Sequence, residues 1–437
     1  MTPDELAGIS PPLPTSLGQR LMWMMENHRG AEGTLSSHIL FRVRGRLNVE
    51  ALQQAFAKVC DRHESLRTTF VRQQGLLHRR VHPHLLPDVR LLESVGTDDT
   101  AIAGAIRKEL KNPFDLESSC CRLAVLPLSD QEYVLAGILH HLVTDGWSAQ
   151  IIAEDLSSAY NAVVGGTSEP LEPAVPYSEF IEWERRRLDQ RGLAVTQRAW
   201  EEMLSGLELP RLEPSPPVGG GAHATAIIKS FVEPQLASAL QGIGVAARAT
   251  QFVVLLTAFY VLLHRRTGQR DLTVASFVAN RSKRFSGTVG FFANMVLLRQ
   301  KFGEASTFSD LLIEVKRTSL FVLLHQEISF HLLPRHVLAN IEGRPENIVF
   351  QMLAEPTANL ALDGLQTEPL GTMDGLGSRW DLEVICQRLD TGAIELVFRR
   401  TDDVYSLEWI EDFAADYLNI LQEVVDDVSS RLEGIGS

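Results

Sequence analysis

The feature that most limits the fold of this chain is a largely apolar segment, residues 132–139 (EYVLAGIL), which ends at two histidines. A continuous apolar run of this length predicts a β-strand with both faces covered. Residues 149–163 follow closely and repeat Ile151, Leu156 and Tyr160 at the spacing of an amphipathic helix. A strand covered on both sides and followed at once by a helix requires helices packed on a sheet.

Other strands and helices alternate through both halves of the sequence. Strands are predicted at 38–45 and 272–279, and a hairpin is predicted over 381–400 with its turn at Asp390-Thr391-Gly392. Helices are predicted at 49–63 with Asn48 as cap, at 176–205, at 250–266 with Thr250 as cap, and at 407–428. The expected class is therefore mixed α/β (α+β).

The length of 437 residues is enough for two lobes of similar size. We expect an N-terminal lobe over residues 1–175 and a C-terminal lobe over 223–437. Between them, residues 176–222 are expected to form a connecting helix and a linker, because 210–221 is rich in proline and glycine.

The formal net charge of −14 gives no support for a nucleic-acid partner. Short basic clusters occur at Arg185-Arg186-Arg187, at His264-Arg265-Arg266 and at residues 281–284. They are interpreted as solvated helix ends and loops, or alternatively as local docking patches for an acidic protein.

The four cysteines have no metal-ligand spacing, so no metal is expected, and a reducing cytoplasm is the simplest location. The N-terminus lacks the basic start and apolar core of a signal peptide. The longest apolar run, 252–263, is shorter than the roughly 20 residues that a membrane span needs. We expect a monomer without a membrane partner.

The segment that carries chemistry is residues 140–148, His-His-Leu-Val-Thr-Asp-Gly-Trp-Ser, which joins the buried strand to the next helix. An imidazole titrates near neutral pH, so His141 could accept and return a proton. Asp145 could orient an imidazole or anchor the loop through an arginine, and Gly146 leaves room for a substrate. The alternative is that both histidines belong to the core and that an ordinary Asp-Gly turn follows them.

This segment resembles the HHxxxDG signature of condensation domains in nonribosomal peptide synthetases, within the chloramphenicol-acetyltransferase-like superfamily. Six further blocks resemble those of the family, in the same order. They are Ser16–Trp23 (S-x-A-Q-x-R-L-W), Arg62–Phe70 (R-H-E-x-L-R-T-x-F), Tyr177–Trp183 (Y-x-D-[YF]-x-x-W), Val289–Asn294 (I-G-F-F-V-N), His325–Phe330 (H-Q-x-x-P-F) and Asn347–Met352 (N-P-L-F-Q-V).

The resemblance implies two acetyltransferase-like lobes in a V-shaped pseudo-dimer, with an active-site tunnel between them. It implies that His141 is catalytic, either as a general base or by positioning the nucleophile. His140 and Asp145 would be structural, with Asp145 held by a buried arginine. Arg281 is the first candidate for that partner and Arg62 is the second.

The resemblance also implies supporting roles for Gly146, Trp147 and Ser148 of the motif. Asn294 and Asp381 match family positions near the tunnel, although ordinary sheet-end and turn roles are an equal alternative for both, and Ser329 is a third candidate at the tunnel wall. Ser329 stands where the family usually has proline, so the usual amino-acid acceptor is not assured.

The implied activity is a free-standing condensation enzyme that forms an amide or an ester. It would hold no cofactor of its own, because a phosphopantetheine arm on an acyl or peptidyl carrier protein brings the donor. The acceptor would be either carrier-tethered or a free small molecule. Residues 165–168 resemble a carrier attachment site, but Pro170 follows them, so a loop is predicted there.

Three alternatives remain: an epimerase relative, an acyl-CoA-dependent acyltransferase of the superfamily, and a non-catalytic platform that recruits carriers. Epimerases need a further E-G-H-G-R segment, which the sequence lacks. The intact His140 excludes heterocyclising relatives, which have aspartate there. Non-catalytic relatives lose the histidine motif, which this chain keeps.

Overall fold

The structure is a computed structural model of the chain. It describes residues 12–29, 35–167, 171–188, 190–214, 225–303, 307–338, 341–353, 359–370, 380–401, 404–429 and 431. The predicted linker 210–221 therefore lies outside the described residues from 215 onward, as does Ser168.

The chain forms two compact units, and each is built from three segments. Unit 1 comprises Met1–Asp189, Ala279–Ala293 and Thr357–Met373, and unit 2 comprises Gln190–Val278, Asn294–Pro356 and Asp374–Ser437. This division differs from the continuous lobes expected from the sequence, because two segments of the second half belong to unit 1. The region 176–205 is also shared between the units.

The described strands are numbered in chain order. They are β1 (Leu13–Pro14), β2 (Ser36–Arg44), β3 (Thr68–Gln73), β4 (Leu76–Val81), β5 (Asp88–Leu91), β6 (Cys121–Ser129), β7 (Glu132–His140), β8 (Thr225–Val232), β9 (Asp271–Val278), β10 (Asn294–Lys301), β11 (Ile348–Leu353), β12 (Gln366–Pro369), β13 (Leu382–Arg388) and β14 (Ile394–Thr401).

The α-helices are numbered in the same way. They are α1 (Leu17–Arg29), α2 (Val49–Arg62), α3 (Asp99–Leu110), α4 (Gly146–Val164), α5 (Tyr177–Arg187), α6 (Gln190–Leu204), α7 (Pro234–Ala247), α8 (Gln251–Thr267), α9 (Phe308–Leu324), α10 (Arg335–Leu338) and α11 (Leu407–Asp426). Short 3-10 helices cover Glu64–Arg67, Lys283–Phe285 and Phe330–Leu332.

Unit 1 is organised around a five-stranded sheet in the order β12-β2-β7-β6-β5. β7 lies at its centre and pairs antiparallel with β2 and β6, which confirms the predicted buried strand. α2 and α4 pack together on this sheet around Leu52, Phe56, Ile152 and Leu156. Asn48 caps α2 as predicted, since its side chain accepts a hydrogen bond from Ala51 N. A smaller sheet has the order β1-β4-β3.

Unit 2 contains a six-stranded mixed sheet in the order β10-β9-β11-β13-β14-β8. The apolar α8 is buried along its length and is capped by Thr250, as predicted. Phe259 of α8 stacks on Phe350 of β11, and Phe413 of α11 packs edge-on against Phe259. The predicted hairpin is β13 and β14, and Gly392 takes a positive φ of 85° in its turn.

The helix predicted over 176–205 is in fact two helices, α5 and α6, because α5 ends at Arg187. α4 ends at Val164, and Gly166 has a φ of 73°, which fits the loop predicted at 165–168. Within the described part of the chain, no single helix is long and apolar enough to cross a membrane. Among the described helices, one pair, α7 and α8, reaches that length and composition when taken together, with a bend of 102° between them.

Candidate active site

The loop that carries the histidine motif starts where β7 ends. His140 N donates to Cys120 O at 2.8 Å, and His141 N donates to Leu35 O, also at 2.8 Å. The start of the loop is therefore held by backbone hydrogen bonds to two other segments, at Leu35 and at Cys120. Leu142 and Val143 then turn into a small apolar cluster and are fully buried.

His140 is an interior residue. Its side chain is 3% exposed, its Nδ1 accepts a hydrogen bond from Leu142 N at 3.1 Å, and its ring lies edge-on to Phe114. An imidazole that accepts at Nδ1 carries its proton at Nε2 when it is neutral. These contacts hold the turn of the loop.

His141 is half-buried, and its neutral ring carries the proton on a different nitrogen from that of His140. Its Nδ1 lies 3.3 Å from Thr144 O, and a carbonyl oxygen can only accept, so Nδ1 is the donor. The neutral ring therefore has its basic lone pair on Nε2. Phe291 packs edge-on against the ring at a centroid distance of 6.3 Å.

Asp145 closes the loop and begins α4. Its Oδ1 accepts a hydrogen bond from Ser148 N at 2.9 Å, which makes it the N-cap of the helix. Its Oδ2 accepts from Phe292 N at 3.1 Å. Arg281 Nη2 reaches the two carboxylate oxygens at 3.1 and 3.2 Å. The carboxylate thus anchors the loop through an arginine, one of the two roles that the sequence left open.

Arg281 is as deeply buried as its partner, with 3% of its side chain exposed against 5% for Asp145. Its guanidinium lies 3.8 Å from the ring centroid of Phe292, and its Nη1 donates to Phe285 O and Thr288 O. Burial lowers the pKa of Arg281 from its usual value, whereas the Asp145 carboxylate opposes that shift. The guanidinium stays charged at any physiological pH.

Arg62, the second candidate, does not reach Asp145. Its Nη1 pairs with Asp155 of α4 at 3.3 Å, and His63 Nε2 lies 2.6 Å from the other oxygen of Asp155. Burial lowers the pKa of His63, and Asp155 partly opposes this shift. These residues fasten α2 to α4.

The remaining motif residues have distinct surroundings. The Ser148 hydroxyl is fully buried, 2.7 Å from Asp145 Oδ1, and accepts from Gly290 N at 3.1 Å. Trp147 is 42% exposed and donates from Nε1 to Ser286 O at 3.0 Å. A Cβ added to Gly146 would meet no atom within 4 Å, so this position borders open space.

Gln19, Tyr177 and Gly290 lie within the family blocks, although the sequence alone indicated no individual role for any of them. Gln19 is 1% exposed and donates from Nε2 to Leu142 O at 2.7 Å. Tyr177 lies so close to Gly290 that an added Cβ there would stand 2.2 Å from its ring. The motif blocks were the available signal, whereas these roles depend on contacts between distant segments.

The three remaining candidates belong to unit 2. Asn294, the first residue of β10, donates from Nδ2 to Gln326 O at 2.7 Å, and Ser329 Oγ lies 3.4 Å from Met295 O, so both side chains lie at the start of this strand. Both are at least nine-tenths buried.

Asp381 lies elsewhere in unit 2. It precedes β13 and accepts from Arg344 at 2.7 Å. The strand register puts Asn294 beside Val278, and Met352 beside Cys386. Val349 of β11 pairs with Ala275 of β9, so Met352 is level with Val278. Asn294 is therefore level with Cys386, and Asp381 lies about 16 Å away from that level along the strands. The structure therefore brings Asn294 and Ser329 together and leaves Asp381 apart.

No group of three or more histidine, cysteine, aspartate or glutamate side chains could hold a metal ion among the residues described. All four cysteines are buried, and none of them forms a disulfide.

Known proteins resemble this chain over nearly its whole length. The family model described as the Condensation domain matches residues 12–436. Chondramide synthase cmdD of Chondromyces crocatus is 29% identical over 97% of this chain, and the nonribosomal peptide synthetase kk1B of Curvularia clavata is 28% identical over 95%. The chain spans only 11% and 3% of the lengths of these two relatives.

A solved structure shares the fold over nearly the whole chain. SgcC5 from Streptomyces globisporus, crystallised with (R)-(-)-1-(2-naphthyl)-1,2-ethanediol and sucrose, is 26% identical and has a TM-score of 0.79. The alignment covers 96% of this chain and 100% of SgcC5. With the histidine motif, its anchored aspartate and these matches together, the chain belongs to the condensation domain family of nonribosomal peptide synthetases.

Proposed function

We propose that this condensation domain is catalytically active and transfers an acyl group from a carrier-protein thioester to an amine or a hydroxyl. The observation that carries the proposal is the partial burial of His141 together with the tautomer of its ring. Its ring is half-buried, and its Nδ1 faces Thr144 O at 3.3 Å, which leaves the basic lone pair on Nε2. The buried Asp145–Arg281 pair holds the loop that presents this ring.

In the proposed reaction, His141 acts as the general base. The acceptor nitrogen or oxygen attacks the thioester carbonyl and loses a proton to Nε2. A C–N or C–O bond forms as the C–S bond breaks. The departing thiolate then receives the proton from Nε2 and leaves as the thiol. Positioning the nucleophile by a hydrogen bond to Nε2 is the alternative role, and it requires the same tautomer.

The donor acyl group would be attached as a thioester to the phosphopantetheine arm of an acyl or peptidyl carrier protein. This arm would be the only cofactor involved. The acceptor would be carrier-tethered or free. SgcC5 was crystallised with an aromatic diol, which supports including untethered hydroxyl compounds among the acceptors to be tested.

The test supplies one acyl group in three forms: on a carrier protein, on coenzyme A and on pantetheine. Each is combined with amine and alcohol acceptors, and products are identified by mass spectrometry. We expect turnover with the carrier-borne donor. His141→Ala should lower its rate at least about 100-fold while thermal unfolding stays unchanged. His84→Ala is the matched control, because the His84 side chain is 83% exposed.

Equal use of coenzyme A would favour an acyl-CoA-dependent acyltransferase. Carrier binding without turnover across the acceptor panel would favour a recruitment platform. Unchanged turnover in His141→Ala would remove the residue from catalysis and refute the mechanism.

A further inference from the structure

A basic patch lies on the surface of unit 1. Its five cationic side chains come from two segments that are distant in sequence, the last turn of α5 and the 3-10 helix Lys283–Phe285. All five residues are exposed: Arg185, Arg186, Arg187, Lys283 and Arg284.

An aromatic cluster beneath the patch holds the two segments together. Phe180 and Trp183 of α5 pack on Phe285, with centroid distances of 5.7 and 6.3 Å. The guanidinium of Arg187 lies 5.3 Å from the Trp183 ring centroid. Arg284 forms an ion pair with Glu179. Packing therefore holds the two segments together, and these contacts position Arg187 and Arg284 on them.

The patch is basic on a chain that is acidic overall. Among the described residues of these two segments, the carboxylates at the surface are the partly exposed Glu179 and the exposed Glu182, which pair with Arg284 and Arg186, so cations outnumber them. Glu184, the remaining carboxylate of α5, is buried and accepts from Leu17 N on another side of the helix. With a net charge of −14, the chain as a whole repels acidic partners, whereas this surface attracts them.

The patch is continuous with the loop that carries the histidine motif. Ser286, the residue that follows the 3-10 helix, accepts a hydrogen bond from the exposed Trp147. Arg281, two residues before Lys283, binds Asp145 at the opposite end of the same short segment. A protein bound to this patch would therefore stand beside Gly146 and Trp147, where the motif borders open space.

We propose that this basic patch is the docking surface for an acidic carrier protein whose thioester is delivered to His141. The proposal rests on the proposed function. The occupant follows from charge complementarity and from continuity with the motif loop, and the phosphodiester of the arm adds a further anion next to Lys283 and Arg284.

The test compares two doubly substituted chains with the same change in charge. Arg186→Glu/Lys283→Glu reverses two cations of the patch. Lys108→Glu/Lys111→Glu reverses two exposed cations at the end of α3, beside the edge strand β5 of the same unit. The donor is the acyl-loaded carrier that supports turnover by the unmodified chain. KM, kcat and the dissociation constant of the carrier are measured at two salt concentrations.

We expect the patch variant to raise KM and the dissociation constant about tenfold at low salt, with little change in kcat. The difference should shrink at high salt, because added ions screen exposed charges. Arg186→Gln/Lys283→Gln should give a smaller rise in the same direction, without new repulsion against Glu182. The α3 variant should bind the carrier as the unmodified chain does.

The result that would overturn the docking surface is an equal effect of the patch and α3 variants, or none from either, while the unmodified chain still turns over the carrier-borne donor. Equal loss with a pantetheine donor, which has neither a protein surface nor a phosphodiester, would also overturn it. Absence of turnover by the unmodified chain with every donor would instead refute the proposed function, and the docking surface with it.

Discussion

Replacing Arg281 by methionine tests the Asp145 anchor directly. The substitution keeps an apolar side chain against Phe292 but leaves Asp145, whose side chain is 5% exposed, without its cation. Breaking a buried ion pair by removing one partner costs roughly 3–5 kcal/mol. Because Asp145 would still accept from Ser148 N and Phe292 N, we expect the lower end, about 3 kcal/mol.

Unfolding in urea, followed by circular dichroism, measures this loss. For a unit of about 200 residues it corresponds to a fall in melting temperature of about 6–12 °C. Adding Asp145→Asn should recover part of the loss, since no buried charge would then be unpaired. Arg62→Met is the control and should cost less than half as much, because Asp155 keeps its contact with His63. Stability of Arg281→Met within about 0.5 kcal/mol of the unmodified chain would refute the anchor.

Three further predictions concern neighbouring positions. Gly290→Ala should destabilise the chain by about 1–3 kcal/mol in thermal unfolding, because the new methyl group would overlap the Tyr177 ring, whereas Gly287→Ala, which meets no atom within 4 Å, should not. Gly146→Trp should fold normally but lower turnover of a carrier-borne donor more than Gly146→Ala does; equal rates for the two variants would contradict a substrate path at this position. Burial raises the pKa of Glu184 to about 7, so its contribution to stability is complete below the unfolded value of 4.5 and is lost as the pH rises to about 7. Unfolding at pH 5 and pH 8 should therefore show a drop of up to about 3 kcal/mol that Glu184→Gln removes, and an unchanged pH dependence in that variant would exclude this carboxyl as the cause.

The parts of the fold that depend on local sequence could be predicted. β7 and α8 were recognisable because their burial requires apolar side chains along the segment. Asn48 and Thr250 were recognisable as caps because a short polar side chain before an apolar repeat satisfies the first amides of a helix. The break after Arg187 was missed because amphipathic spacing continues across it.

The site itself was only partly accessible from the sequence. The motif identified His141 and Asp145, and the resemblance named Arg281, but choosing between Arg281 and Arg62 required the contacts themselves. Gln19, Tyr177 and Gly290 stabilise the site through neighbours more than 100 residues away in the chain. A single sequence does not record such pairings. The same reason explains why Asp381 was grouped with Asn294, although the strand register separates them.

The pairing of β12 with β2 has a consequence for how the protein is made. Gln366 pairs with Arg44, so the outer edge of the five-stranded sheet is completed by a strand that leaves the ribosome more than 300 residues after its neighbour. Until then, the edge of β2 presents unpaired amides and carbonyls to other nascent chains. Fragments that stop before β12 should consequently aggregate, and attempts to express the first 189 residues alone should yield insoluble material unless residues 357–373 are supplied.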